Sequence, residues 1–167
     1  MAEVQKMQRK FFQLFIDTSM NDTTPSYYRL GKDLEEFNVE MNPDTETGKN
    51  ILGETTFNHN GYEISADADP FYARSGDALF EVLQGIVDTQ AQYDGCATNV
   101  IECHLWDAGT TSGTYKAYKQ SVYLVPTSYG GDTSGYQIPF TLNYVGEKKS
   151  GYFTPDGNGG GTFAADA

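Results

Sequence analysis

Basic side chains are scarce in this sequence. The 167-residue chain holds 11 Lys and Arg against 23 Asp and Glu, which gives a formal net charge of −12. The basic residues are scattered, and their longest run is the pair Lys148–Lys149. Proteins that grip nucleic acid need a basic patch to neutralise phosphates. The composition therefore argues against DNA binding in a tight groove.

Cysteines and long apolar runs are scarce as well. Two cysteines, Cys96 and Cys103, are too few for a disulfide scaffold in a chain of this length. The first ten residues are polar and charged, without the apolar segment of a signal peptide. No apolar run approaches the length of a transmembrane helix. We expect a protein with free thiols, made in a reducing cytoplasm and without membrane association.

Catalytic and ligand-binding motifs are missing too. The two cysteines and the two histidines, His59 and His104, lack the spacing of a zinc site, and a catalytic Cys–His pair would need a distant histidine. Asp67 and Asp69 could begin a calcium site, but further oxygen ligands do not follow in series. Phosphate-binding loops and nucleophile elbows do not occur. We expect no catalytic residue, no metal and no cofactor, in a protein that is not an enzyme.

Aromatic residues, by contrast, are plentiful at 14% of the chain, and they favour the half-buried surface of a sheet. Apolar and polar residues alternate over 34–41 and 136–145, which predicts strands with one exposed face. Further strands are predicted over 11–16, 53–58, 62–67, 100–106, 115–125 and 150–154. The pair Asn60–Gly61 predicts a tight turn between two of them, and 146–148 a second turn. This pattern favours a mainly β fold, an antiparallel sandwich or barrel.

One amphipathic helix should flank the sheet. Apolar residues recur every three or four positions over 76–90, after Ser75 as a possible N-cap. The whole chain, 1–167, is predicted to form a single domain with a flexible N-terminal arm at 1–9. A Gly-rich C-terminal arm at 155–167 is also predicted to be flexible.

A polar stretch without core-forming residues is predicted to be a long projecting loop at 42–50. Its residues are Asn42, Pro43, Asp44, Thr45, Glu46, Thr47, Gly48, Lys49 and Asn50.

Three stretches together are similar to the major tail tube proteins of long-tailed (siphovirus-type) bacteriophages, especially those of Gram-positive hosts. The first is Tyr28-Arg29-Leu30-Gly31-Lys32-Asp33-Leu34 with Glu36-Phe37-Asn38-Val39-Glu40. The second is Tyr62-Glu63-Ile64 through Asp69-Pro70-Phe71-Tyr72-Ala73-Arg74, followed by Gly76-Asp77-Ala78-Leu79-Phe80. The third is Gly130-Gly131-Asp132 with Gln137-Ile138-Pro139-Phe140. The resemblance covers residues 10–154 and rests on the order of elements together with these motifs.

The resemblance implies a structural subunit that forms hexameric rings, which stack into a hollow tube for passage of the genome. Its partners would be further copies of itself and the tail terminator, tape-measure and distal tail proteins, while DNA would pass without specific binding. It would reside in the tail of the virion after assembly in the cytoplasm of the bacterial host. The 42–50 loop would contact the adjacent ring, and both terminal arms would bridge subunits.

The candidate lumen face consists of polar side chains from two predicted strands. They are Glu36, Asn38, Glu40, Gln137, Thr141 and Asn143. An acidic lumen would offer passing DNA no cation to hold it. The same side chains could instead face the outside solvent.

Two alternative functions stay open at this point. One is the tube protein of a phage-derived bacteriocin, which would be built in the same way. The other is a carbohydrate-binding β-sandwich module, which the aromatic content and possible calcium-holding turns suggest. Its candidate aromatic residues are Trp106, Tyr115, Tyr118 and Tyr123.

Overall fold

An eight-stranded antiparallel sheet organises the fold, which is mainly β with one α-helix in the part of the chain described. The computed structural model describes residues 3–20, 23–32 and 34–166. Met1, Ala2 and Ala167 of the predicted arms, and Asp33 of the first quoted motif, lie outside this part.

The strands follow one another along the described chain, with one α-helix between the sixth and the seventh. They are β1 (Phe12–Asp17), β2 (Tyr27–Leu30), β3 (Val39–Glu40), β4 (Pro43–Lys49), β5 (Thr55–Tyr62), β6 (Ser65–Ala68), α1 (Ala78–Thr89), β7 (Ala97–Ala108), β8 (Tyr115–Pro126), β9 (Gly130–Asp132), β10 (Gly135–Gln137), β11 (Phe140–Pro155) and β12 (Gly161–Ala165).

The main sheet has the order β2-β1-β7-β8-β11-β6-β3, and β12 pairs with the later part of β11. Two smaller sheets, β4–β5 and β9–β10, stand apart from it. The long strands β8 and β11 run through both halves of the main sheet. The two halves meet where the register of β11 against β8 shifts, from Val145 to Lys149.

The helix covers one face of the sheet. Leu79, Leu83 and Ile86 of α1 are buried in a core that includes Leu124 and Leu142 of the sheet. The predicted helix is confirmed, but Asp77 rather than Ser75 caps it, because the Asp77 carboxylate accepts a hydrogen bond from the Leu79 amide at 3.1 Å. Gly76, with φ of 83°, keeps the preceding backbone out of the helix.

A second core lies on the opposite face, at the other half of the sheet. Phe15, Ile101 and Phe153 are fully buried there, and the Phe15 and Phe153 rings pack with centroids 4.3 Å apart. The Arg29 amide of β2 donates to the Gly159 carbonyl, beyond the end of β11, at 2.8 Å. This contact joins β2, at one end of the strand order, to the turn between β11 and β12, and it closes this half of the sheet into a small barrel.

The Gly-rich C-terminus is ordered rather than flexible. β12 pairs with β11, and the Asp156 carboxylate accepts bonds from the amides of Asn158 and Gly160 at 2.7 and 3.1 Å. Phe163 packs against the second core. The glycines that suggested flexibility allow this tight reversal instead. At the other terminus, residues 3–8 are exposed and without regular structure.

Several predicted strand limits were wrong. Only Val39–Glu40 is a strand within 34–41. The turn predicted at 146–148 lies inside β11, at its register shift. Pro139, which cannot donate to a ladder, separates β10 from β11.

The turn predicted at Asn60–Gly61 also lies inside a strand, β5. Gly61 has φ of 108°, and the register between β4 and β5 shifts beside it, from Pro43 opposite Tyr62 to Thr45 opposite His59. The glycine thus permits a bulge rather than a reversal of the chain.

Candidate assembly surfaces

The stretch predicted as a projecting loop at 42–50 is instead one strand of a projecting hairpin. β4 pairs with β5, and the Asn50 side chain closes the turn by accepting bonds from the amides of Leu52 and Glu54, both at 3.0 Å. All residues of β4 are exposed. The polar sequence suggested a loop because a strand is recognised by its buried face, and this one buries neither face.

The β4–β5 hairpin carries apolar side chains into solvent. Ile51 and Leu52 at its turn are 102% and 75% exposed, and Phe57 and Tyr62 of β5 are 63% and 53% exposed. An isolated two-stranded hairpin is only marginally stable in water. Exposed apolar surface of this kind marks an interaction site. The hairpin is therefore a candidate contact with another molecule.

A polar sheet face lies opposite α1. We define it by Glu40, Ser65, Asp67, Thr141 and Asn143. Glu40 lies directly opposite Ser65, and Ser65 directly opposite Asn143. The Thr141 hydroxyl donates to the Asp67 carboxylate at 2.8 Å. The face holds two carboxylates and no cation, so it presents acidic and neutral polar groups to solvent.

The structure brings together three of the six residues predicted to line a lumen, namely Glu40, Thr141 and Asn143. Glu36 and Asn38 are exposed before β3 and are hydrogen-bonded to each other at 3.0 Å. Gln137 belongs to β10, which pairs with β9 and not with the main sheet.

Two members of the polar sheet face, Ser65 and Asp67, were not among the residues predicted to line a lumen. Their signal was the alternation with the fully buried Ala66 and Ala68. Alanine is too weak a marker of a core strand for that alternation to stand out.

Both sides of the polar sheet face end in sheet edges. Among the described residues, β6 is the one strand that pairs with β3, which is two residues long. On the other side, the last ladder pair between β1 and β7 is Ile16 with Val100, so residues 97–99 of β7 lie beyond the ladder, although the Thr98 hydroxyl still donates to the Asp17 carbonyl at 2.6 Å. Edges of this kind are ready to pair with another chain.

A cationic aromatic surface lies on the helix side of the sheet, at the barrel half. We define it by six side chains from four strands, Phe12, His104, Trp106, Lys116, Tyr118 and Lys148. The pairing register places Phe12 opposite His104 and His104 opposite Lys116. The rings of His104 and Trp106 stack at 4.5 Å with planes 11° apart.

Ion pairs and ring contacts fix the cations of this surface. Lys148 pairs with the buried Glu102 at 2.8 Å, and its ammonium lies 5.2 Å from the Tyr118 ring centre. Lys116 binds Asp166 at 3.1 Å and also contacts the Ser150 hydroxyl. The hydrogen bond that Lys116 donates to the Asp166 carboxylate raises the pKa of Lys116. Burial lowers the pKa of His104. The negative charge of Glu102 raises this pKa, and the positive charge of Lys148 lowers it further.

The thiols do not meet a catalytic partner in the described structure. Cys96 and Cys103 are both free and buried. Burial raises the pKa of the Cys103 thiol to about 11, far from the activated range of a nucleophile. Among the described residues, no group of three His, Cys, Asp or Glu side chains could hold a metal ion. The Asp67 carboxylate accepts the hydrogen bond from the Thr141 hydroxyl.

The aromatic residues considered for carbohydrate binding do not share one surface. Trp106 and Tyr118 belong to the cationic aromatic surface, whereas Tyr115 packs against the second core. Tyr123, opposite Asn143, lies beside the polar sheet face.

Comparisons with known proteins add no relationship. No protein-family model matches the chain, and no curated protein matches its sequence. In the described residues, we find no helix with the length and apolar character needed to cross a membrane.

Proposed function

We propose that this chain is the structural subunit of a bacteriophage tail tube, in which hexameric rings of the protein stack around a channel for DNA. The observation that carries the proposal is the β4–β5 hairpin, which extends exposed apolar side chains from the sheet without a core of its own. Such an element is expected in a subunit that buries its exposed apolar side chains against neighbouring subunits. The similarity of residues 10–154 to tail tube proteins supports the same proposal.

The polar sheet face supplies a lining for the channel. If the β3 edge of one subunit pairs with residues 97–99 of β7 in the next, the sheets of a ring join into one closed barrel. Closing the sheet removes edges that would otherwise aggregate. Such a contact joins two different patches, and it closes into a ring when the rotations between successive subunits add up to a full turn.

The charge of the polar sheet face suits passage of DNA. Glu40 and Asp67 repel phosphates, and the five residues that define the face include no Lys or Arg, while Lys119 and Lys149 on the same side of the sheet lie toward its barrel half. A phosphate backbone binds proteins chiefly through such cations. The lining would therefore let DNA slide without specific contacts.

Negative-stain electron microscopy of the purified protein tests the proposal. We expect rings or hollow tubes at high protein concentration. A protein that stays strictly monomeric at high concentration and in several salts would contradict it.

A shortened variant tests the part played by the hairpin. Replacing residues 44–61 by a two-residue Asn–Gly turn joins Pro43 to Tyr62, which lie opposite each other in the register. We expect cooperative unfolding to persist while tubes disappear. A matched control is the substitution of the exposed Tyr129, remote in sequence from the hairpin, by Asn, which should leave tubes intact. Normal tubes from the shortened variant would rule out the hairpin as an assembly element.

A further inference from the structure

We propose that the β4–β5 hairpin of one copy docks on the cationic aromatic surface of a second copy. This inference rests on the proposed self-assembly and names the surface that receives the hairpin. Donor and acceptor are different patches of the same chain, so every subunit carries one of each. A heterologous contact of this kind can be repeated from copy to copy.

The hairpin is an acidic element with an apolar turn. Residues 43–62 hold three carboxylates, of Asp44, Glu46 and Glu54, against the single ammonium of Lys49. Ile51 and Leu52 project from the turn. A complementary acceptor needs cations around a surface that can receive aliphatic side chains.

The cationic aromatic surface offers two ammoniums beside aromatic rings, and each is already paired with a carboxylate of its own chain, Lys116 with Asp166 and Lys148 with Glu102. Trp106 is 44% exposed, and the Lys148 side chain is 47% exposed although its partner Glu102 is buried. The Lys148 ammonium thus keeps room for a second carboxylate. Half-exposed rings held in place by stacking offer contact area at low entropic cost, which is typical of interface anchors.

A groove of about 380 Å³ adjoins this surface and continues it. Arg9, Lys10 and Arg29 line the groove against the single carboxylate of Glu35, together with apolar side chains such as Leu14. The Arg9 guanidinium lies 5.2 Å from the centre of the Phe12 ring, where groove and surface meet. The groove extends the positive charge and gives the apolar turn a concave place to bind.

Charge also argues against the other broad face as the acceptor. The polar sheet face carries Glu40 and Asp67, which would oppose the carboxylates of the hairpin. Like charges brought together across an interface disfavour the wrong pairing. The hairpin is thereby directed to the cationic aromatic surface.

Photo-crosslinking locates the acceptor directly. Benzoylphenylalanine at position 52 of the full chain should give, on irradiation of the assembled protein, a product of twice the chain mass. Mass spectrometry should place its attachment within the cationic aromatic surface or the groove. Attachment to the polar sheet face, or within the same chain, would overturn the inference. The same probe at position 129 serves as the control and should not label this surface.

Charge reversal supplies an independent test. Glu46→Lys and Lys148→Glu should each reduce the fraction of protein that sediments as assemblies at least tenfold. The double variant should recover most of the assembled fraction. Lys149→Glu is the matched control, since Lys149 follows Lys148 but lies opposite Lys119, outside the surface. Loss in the single variants without recovery in a folded double variant would contradict the contact. If the Lys148→Glu variant does not fold, the position of the crosslink from residue 52 decides whether the contact exists.

The two proposals fail in different ways. Tubes in the microscope with crosslinks elsewhere would keep the tube and remove this contact. A crosslinked dimer at the expected residues without tubes would keep the contact and remove the tube.

Discussion

Cys103 and His104 are consecutive residues of β7, yet their side chains lie on opposite faces of the sheet. Cys103 is fully buried in the barrel core, whereas His104 stacks on Trp106 at the cationic aromatic surface. Successive residues of a strand always diverge in this way. Two residue types that suggest catalysis in a sequence are thus separated by the backbone itself.

The thiols should be unreactive in the folded protein. Cys103 is 0% exposed with a pKa of about 11, and burial also raises the pKa of Cys96. Since the thiolate is the reactive species, we expect negligible reaction with Ellman's reagent at pH 8. Two thiols per chain should react after addition of guanidinium chloride. Rapid modification of one thiol in the native state would show that the barrel opens.

Acidification should destabilise the protein through His104. Burial holds the pKa of His104 below its ordinary value of 6.5, so the unfolded chain binds the proton more tightly than the folded one. Stability then falls as pH drops from above 6.5 through the folded pKa, and it returns as pH rises. We expect the denaturation midpoint of His104→Gln to vary less with pH in this window. If the midpoint of the variant depends on pH as strongly as that of the wild type, titratable groups other than His104 cause the loss of stability.

One pair of leucines should separate stability from assembly. Leu83 is fully buried under α1, and Leu83→Ala should lower the free energy of unfolding by about 2–5 kcal/mol. Leu52 is 75% exposed at the hairpin turn, and Leu52→Ala should change it by no more than about 0.5 kcal/mol. Denaturant titration measures both. Only the second variant should lose assembly while keeping wild-type stability.

A cation in the proposed lining should retain DNA. Asn143→Lys places an ammonium on the polar sheet face, and its tubes should co-sediment with a fluorescent oligonucleotide at about 50 mM salt. The retention should drop sharply by about 200 mM salt, because counterion release drives such binding. Thr110→Lys, exposed between β7 and β8, adds the same charge elsewhere. Equal retention by both variants would show that the polar sheet face is not the lining.

The sequence predicted those elements that bury one clear face. α1 was predictable because its apolar residues recur at helical spacing against the sheet. The same reasoning recovered Thr141 and Asn143, whose neighbours Phe140, Leu142 and Tyr144 are buried.

Elements without a buried face escaped prediction. β4 lies in solvent on both sides, so its polar residues resemble a loop. β12 was hidden by the glycines that precede it. The cationic aromatic surface was missed because Phe12, Trp106, Tyr118 and Lys148 come from four strands. Only the pairing register brings them together.

The position of β1 has a consequence for the order of synthesis. β1 leaves the ribosome first, but its partner β7 begins 80 residues after β1 ends, and barrel closure also needs the segment after β11. The β4–β5 hairpin pairs locally and can form long before that. A nascent chain therefore displays its hairpin before it possesses a finished acceptor surface. Growing chains that lack β11 cannot receive it, which keeps them from joining to one another on the ribosome.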